Sequence, residues 1–165
     1  MGNRTNYRYA FYSQNNSVWD DKLYNPKYPI TALDNYGGDS MYQNAPLTDT
    51  KVDIEIGVNA SYTFISCYSL KTIRKLIVSE NTTFYRWFDG CEALESVTFE
   101  GVIATDISFR DSAKLSNASV QNIIDHIKDL TGQTSQTLTL HATAGANLTQ
   151  AQKDAITAKN WQLVY

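Results

Sequence analysis

The sequence predicts an α/β fold: a solenoid of short parallel strands, about four repeats long, closed at its C-terminal end by an α/β cap. Three observations carry this expectation. A heptapeptide with a large apolar first residue, a small middle residue and a final Leu recurs along the chain. Each of the first three copies is followed by a short apolar alternation. After the last copy the spacing of apolar residues becomes helical.

The two clearest copies are FISCYSL (Phe64, Cys67, Leu70) and FDGCEAL (Phe88, Cys91, Leu94), flanked by MYQNAPL (Met41, Asn44, Leu47) and FRDSAKL (Phe109, Ser112, Leu115). They start 23, 24 and 21 residues apart, within the range of about 20–29 residues of leucine-rich repeats. The middle position reads Asn, Cys, Cys, Ser, a set that is small and hydrogen-bonding but that no metal site would accept. Equivalent residues of successive turns stack in columns roughly 4.8 Å apart. Cys67 and Cys91 are therefore expected as neighbouring, reduced, buried thiols with a structural role. A disulfide between them is an alternative, because that spacing is near the range a disulfide tolerates; a metal or catalytic role is another.

The strands follow from period-two alternation. VDIEI places Val52, Ile54 and Ile56 on one face and Asp53 and Glu55 on the other. KLIV turns Leu76 and Val78 inward and Ile77 outward, and VTF turns Val97 and Phe99 inward and Thr98 outward. These strands are expected to form a parallel sheet along one face of residues 41–115.

Residues 116–165 read as a C-terminal cap of the order helix-strand-helix-strand. Ser116 and Ser119 are candidate N-caps; Val120, Ile123, Ile124, Ile127 and Leu130 follow helical spacing, and Gly132 stops the helix. TLTLHA is a strand with Leu138 and Leu140 inward, Thr149 caps a second helix in QAQKDAITAKN, and WQLVY is a closing strand. Residues 1–40 differ again. Seven of the eleven tyrosines lie at or before Tyr42, which marks this segment as an N-terminal cap or an attachment surface. NPKYP and NYGGD signal turns, and Phe11 with Gln14 resembles a degenerate copy of the repeat.

Composition narrows the function. A net charge of −3 leaves no basic excess to hold nucleic acid, and no apolar run approaches the roughly 20 residues needed for membrane insertion. The start, MGNRTNYRYAFYSQNNS, lacks the apolar stretch of about 7–15 residues of a secretory signal; the expectation is a protein released by lysis or a domain of a larger exported one. His126 and His141 belong to no metal-spaced cluster, and no nucleophile-elbow, phosphate-loop or dinucleotide motif is present. Asp53 and Glu55, pointing outward about 7 Å apart, have a separation that would suit glycoside hydrolysis, but no cleft is expected beside them. Asp20, Asp21, Asp34 and Asp39 do not have the spacing of a calcium loop. The expectation is no enzyme, no catalytic residue, no metal and no cofactor. Binding would be non-covalent, by aromatic stacking and hydrogen bonds. One candidate surface is the sheet face with Asp53, Glu55, Ile77 and Thr98; the other is the aromatic segment with Tyr7, Tyr9, Tyr12 and Trp19.

The four heptapeptides, two of them of the form Phe-x-x-Cys-x-x-Leu, and the ending IIDHIKDLTGQTSQTLTLHATAGANLTQAQKDAITAKNWQLVY resemble the BspA-type leucine-rich repeat proteins. These occur as bacterial surface proteins and as phage or prophage structural proteins of gut Firmicutes. The resemblance covers residues 41–165, departing from the pattern at Asn44 and Ser112. It implies a tail-associated virion component that binds a bacterial surface receptor, protein or glycan, or other virion proteins. The alternative it implies is an adhesin domain at the cell surface that binds host protein or glycan. A homo-oligomer is expected by analogy with tail fibres.

Overall fold

The alternations become strands because one face of each is apolar enough to be buried. The computed structural model describes residues 8–11, 28–32 and 38–165. Among them the strands are β1 (Ile30–Ala32), β2 (Asp49–Ile56), β3 (Thr72–Val78), β4 (Ser96–Gly101), β5 (Ile107–Phe109), β6 (Gln136–Leu140) and β7 (Trp161–Val164). The helices are α1 (Asn117–His126), α2 (Ala142–Ala146) and α3 (Gln150–Ala158). All strand pairs are parallel, in a four-stranded sheet β1-β2-β3-β4 and a three-stranded sheet β5-β6-β7. The fold is mixed α/β. Val52, Ile54, Ile56, Leu76, Val78, Val97 and Phe99 are buried, while Asp53, Glu55 and Ile77 are half-buried and Thr98 is exposed. Burying each such apolar side chain contributes about 1.5–3 kcal/mol.

Two features differ from the expected organisation. The Tyr-rich segment supplies a strand, β1, whose buried Ile30 pairs with Ile54. The fourth heptapeptide supplies β5, which pairs with β6 of the C-terminal region and not with β4. The free edge of β4 is covered by α1: Ser119 Oγ accepts from Val97 N at 3.0 Å and Asn122 Oδ1 from Phe99 N at 2.6 Å. Side chains of a helix thus satisfy edge groups that would otherwise lack partners. This is why Ser119 is buried, while Ser116 is the N-cap and accepts from Ser119 N.

The heptapeptides do stack, with one correction. Aromatic rings pair face to face from Phe11 to Tyr42, Tyr42 to Phe64, Phe64 to Phe88 and Phe88 to Phe109, with centroids 4.7, 5.3, 6.0 and 4.4 Å apart. Tyr42, not Met41, therefore holds the aromatic position of its copy, and Ala45, not Asn44, the small one. Asn44 is exposed, with φ 57°, while Ala45 is buried and its N–H donates to Tyr42 O at 2.8 Å. Cys67, Cys91 and Ser112 make the equivalent bond to Phe64, Phe88 and Phe109. The first copy has one residue fewer before its buried Leu47, which shifts the register. Gln14 lies outside the described residues.

The small residues fasten one copy to the one before. Cys67 Sγ donates to Tyr42 O at 3.0 Å, Cys91 Sγ to Phe64 O at 3.3 Å and Ser112 Oγ to Cys91 O at 3.1 Å. Both cysteines are free and buried. Burial raises the Cys67 thiol well above its ordinary range and pushes Cys91 up to about 12. Both stay protonated donors at neutral pH, and a buried neutral thiol is a poor nucleophile.

In the C-terminal region α1 stops at His126, short of Leu130. Ile127 turns extended and bridges in parallel to Ile103. Ile127 and Leu130 are nonetheless buried. Thr149 caps α3 in a capping box with Gln152, and the short helix α2 precedes it, an element absent from the expected helix-strand-helix-strand order.

Candidate functional site

The site is built on the turns that lead into each aromatic position. Ser40, Tyr62 and Arg86, each two residues before Tyr42, Phe64 and Phe88, have φ of 52, 62 and 54°, as does Tyr9 before Phe11, with φ 57°. This left-handed conformation is uncommon for residues other than glycine. It persists because backbone bonds fix each turn to the next. Tyr9 N donates to Asp39 O at 3.3 Å, Ser40 N to Ser61 O at 2.8 Å and Tyr62 N to Tyr85 O at 3.0 Å. Tyr42 N donates likewise to Thr63 O and Phe64 N to Trp87 O. The aromatic position then points into the core; of the residues two before it, along the rim of the turns, Tyr9 and Arg86 are exposed, Tyr62 is half-buried and Ser40 is buried beside them.

Along this rim runs a groove of about 480 Å³, lined by Arg8, Tyr9, Asp39, Ser40, Gln43, Ser61, Tyr62, Ile65 and Arg86. A second groove of about 330 Å³ adjoins it and shares Arg86; Tyr85, Asp89, Asp106, Arg110 and Thr139 are among its walls. Tyr62 and Tyr85 meet edge to face, centroids 5.4 Å apart at 81°. Arg86 lies 6.0 Å from the Tyr62 ring centroid and pairs with Asp89 at 2.6 Å. Arg8 pairs with Asp39 at 3.0 Å and lies 5.2 Å from the Tyr9 ring centroid. Burial and then the neighbouring Tyr85 phenol raise the Tyr62 phenol above its ordinary value, so its hydroxyl keeps its proton at neutral pH. Such a set of rings, guanidinium groups, carboxylates and hydroxyls suits non-covalent binding of a polar ligand.

The residues expected from the sequence fall on separate surfaces. Tyr9, half-exposed, belongs to the rim. Tyr7, Tyr12 and Trp19 lie outside the described residues. Asp53, Glu55, Ile77 and Thr98 lie on the outer face of the four-stranded sheet, where Glu55 and Ile77 are direct register partners. That face is occupied by ion pairs. Asp53 bonds Arg74 at 2.9 Å and lies 3.4 Å from Lys75, which reaches Glu100 at 2.8 Å. Ser61, Tyr62, Tyr85 and Arg86 had no place among the expected residues. Their signal is positional: Tyr62 and Arg86 stand two before a repeat phenylalanine, and it becomes legible once Phe11 and Tyr42 fix the register.

His126 and His141 serve locally: His126 Nδ1 lies 2.7 Å from Asn122 O, and His141 Nδ1 accepts from Thr143 N at 3.1 Å as the cap of α2. Among the described residues no group of three or more His, Cys, Asp or Glu side chains is arranged to hold a metal ion, and no helix is long and apolar enough to cross a membrane. Compared with protein-family models, with curated proteins and with solved structures, the chain gives no match.

Proposed function

We propose that the protein is a non-catalytic recognition protein: a small BspA-type leucine-rich-repeat solenoid with an α/β C-terminal cap, carried as a tail-associated part of a phage or prophage virion and binding a receptor on the bacterial surface. The supporting observation is the rim of the turns. Tyr85 is 59% exposed and packs on Tyr62, and aromatic and arginine side chains are the types that dominate recognition energetics. The stacked rings and the bonds of Cys67 and Cys91 to the carbonyl of the preceding ring residue support the solenoid reading, because each repeats one copy along, while Ser112 reaches the preceding copy at the Cys91 carbonyl instead.

The expected result is saturable binding of fluorescently labelled protein to intact cells of the bacterium that carries the gene, measured by flow cytometry. The double variant Tyr62→Ala, Tyr85→Ala should bind about tenfold more weakly or worse while keeping the wild-type circular dichroism spectrum. Absence of saturable binding, or equal binding by the folded double variant, would sink the proposal.

A further inference from the structure

We infer that the rim takes a neutral glycan chain, laid across successive turns with sugar rings against Tyr62 and Tyr85. This rests on the recognition reading above and names its ligand class. The two grooves form one continuous track, because Arg86 lines both and Tyr85 of the second packs against Tyr62 of the first. From Tyr9 to Tyr85 the track runs along turns joined by backbone bonds, Tyr9 N to Asp39 O, Ser40 N to Ser61 O and Tyr62 N to Tyr85 O, and neighbouring chains in parallel pairing sit roughly 4.8 Å apart. That step is comparable to the length of one sugar residue in an extended polysaccharide.

Charge selects the kind of polymer. Three arginines, Arg8, Arg86 and Arg110, and three aspartates, Asp39, Asp89 and Asp106, line the track. Two of the arginines are engaged with carboxylates at 3.0 and 2.6 Å, and Asp106 Oδ1 accepts from Thr137 N at 2.6 Å. A polyanion needs an excess of cations, and this surface has none. Paired carboxylates and guanidinium groups instead offer fixed acceptors and donors at close range, the arrangement that neutral hydroxyls match. The aromatic faces supply the complementary surface for the C–H faces of a pyranose. The aliphatic residues of the track, Ile65 and Ile107, are half-buried and buried, so the surface offered to a ligand is aromatic and polar.

The test uses the full chain and immobilised α- and β-linked hexasaccharides of glucose, mannose, galactose and N-acetylglucosamine, with polygalacturonate and poly(glycerol phosphate) as anionic comparators. The expected result is saturable binding of at least one neutral hexasaccharide. Tyr62→Ala and Tyr85→Ala should each weaken it about tenfold, whereas Tyr68→Ala, at a 60% exposed tyrosine off the track, should leave it unchanged. Silence across the neutral panel, tighter binding of either polyanion, or neutral binding that both track variants retain would overturn the inference. If the panel is silent while whole cells still bind the protein, and protease treatment of the cells abolishes that binding, recognition stands and its receptor is a protein. If cells bind nothing either, both readings fail.

Discussion

Phe88→Ala is expected to destabilise the protein by about 3–5 kcal/mol, measured by urea unfolding. Phe88 is 1% exposed and lies between Phe64 and Phe109, ring centroids 6.0 and 4.4 Å away, with Trp87 at 6.1 Å. Removing the ring loses its transfer free energy and leaves a cavity that neighbours can fill only partly. Its place between the two sheets makes it more than an average core residue. Phe64 leads into β3, whereas Phe109 is the last residue of β5 in the second sheet. The alanine variant should therefore loosen both sheets together, visible as lost hydrogen-exchange protection in β3 and β5. A loss below about 1 kcal/mol, ordinary for a surface or peripheral site, would show that the ring column does not join the two sheets.

Gly101→Ala is expected to cost about 2–4 kcal/mol, combining backbone strain with overpacking. Gly101 has φ 98°, and a Cβ placed there would overlap the Val78 carbonyl oxygen and come 3.0 Å from its carbonyl carbon. Val78 is also its partner in the β3–β4 register, so the clash cannot be relieved without parting the strands. Gly132 is the control, with φ 77° but nothing within 4 Å of an added Cβ. Gly132→Ala should cost only about 1–2 kcal/mol, from the left-handed backbone alone. Equal losses in the two variants would mean that the Val78 contact yields and that φ accounts for the whole effect.

What could be read from the sequence was local. The inward set Val52, Ile54, Ile56 and the caps Ser116 and Thr149 follow from residue type and spacing within a few positions, and the structure places them so. The register of the first copy was not legible. MYQNAPL offers Met41 and Tyr42 side by side, and only the stacking of Tyr42 on Phe64 distinguishes them. The end of α1 was hidden for a related reason: Ile127 is buried in an extended bridge as it would be in a helix, so periodicity cannot separate the two. β1 is three residues long and depends on a partner far along the chain. The rim was hardest to see. Tyr85 and Arg86 lie in NTTFYRWFDG, where apolar and polar residues alternate irregularly, and their outward position comes from the left-handed turn at Arg86, which residue type does not announce.

The measurement that tests the central claim most directly is immunogold labelling of an induced lysate of the bacterium that carries the gene, with antibody raised against this protein. A virion-borne recognition protein predicts gold at the tails of phage particles. Gold on the cell envelope, with the particles bare, would contradict it and identify the chain as part of an adhesin.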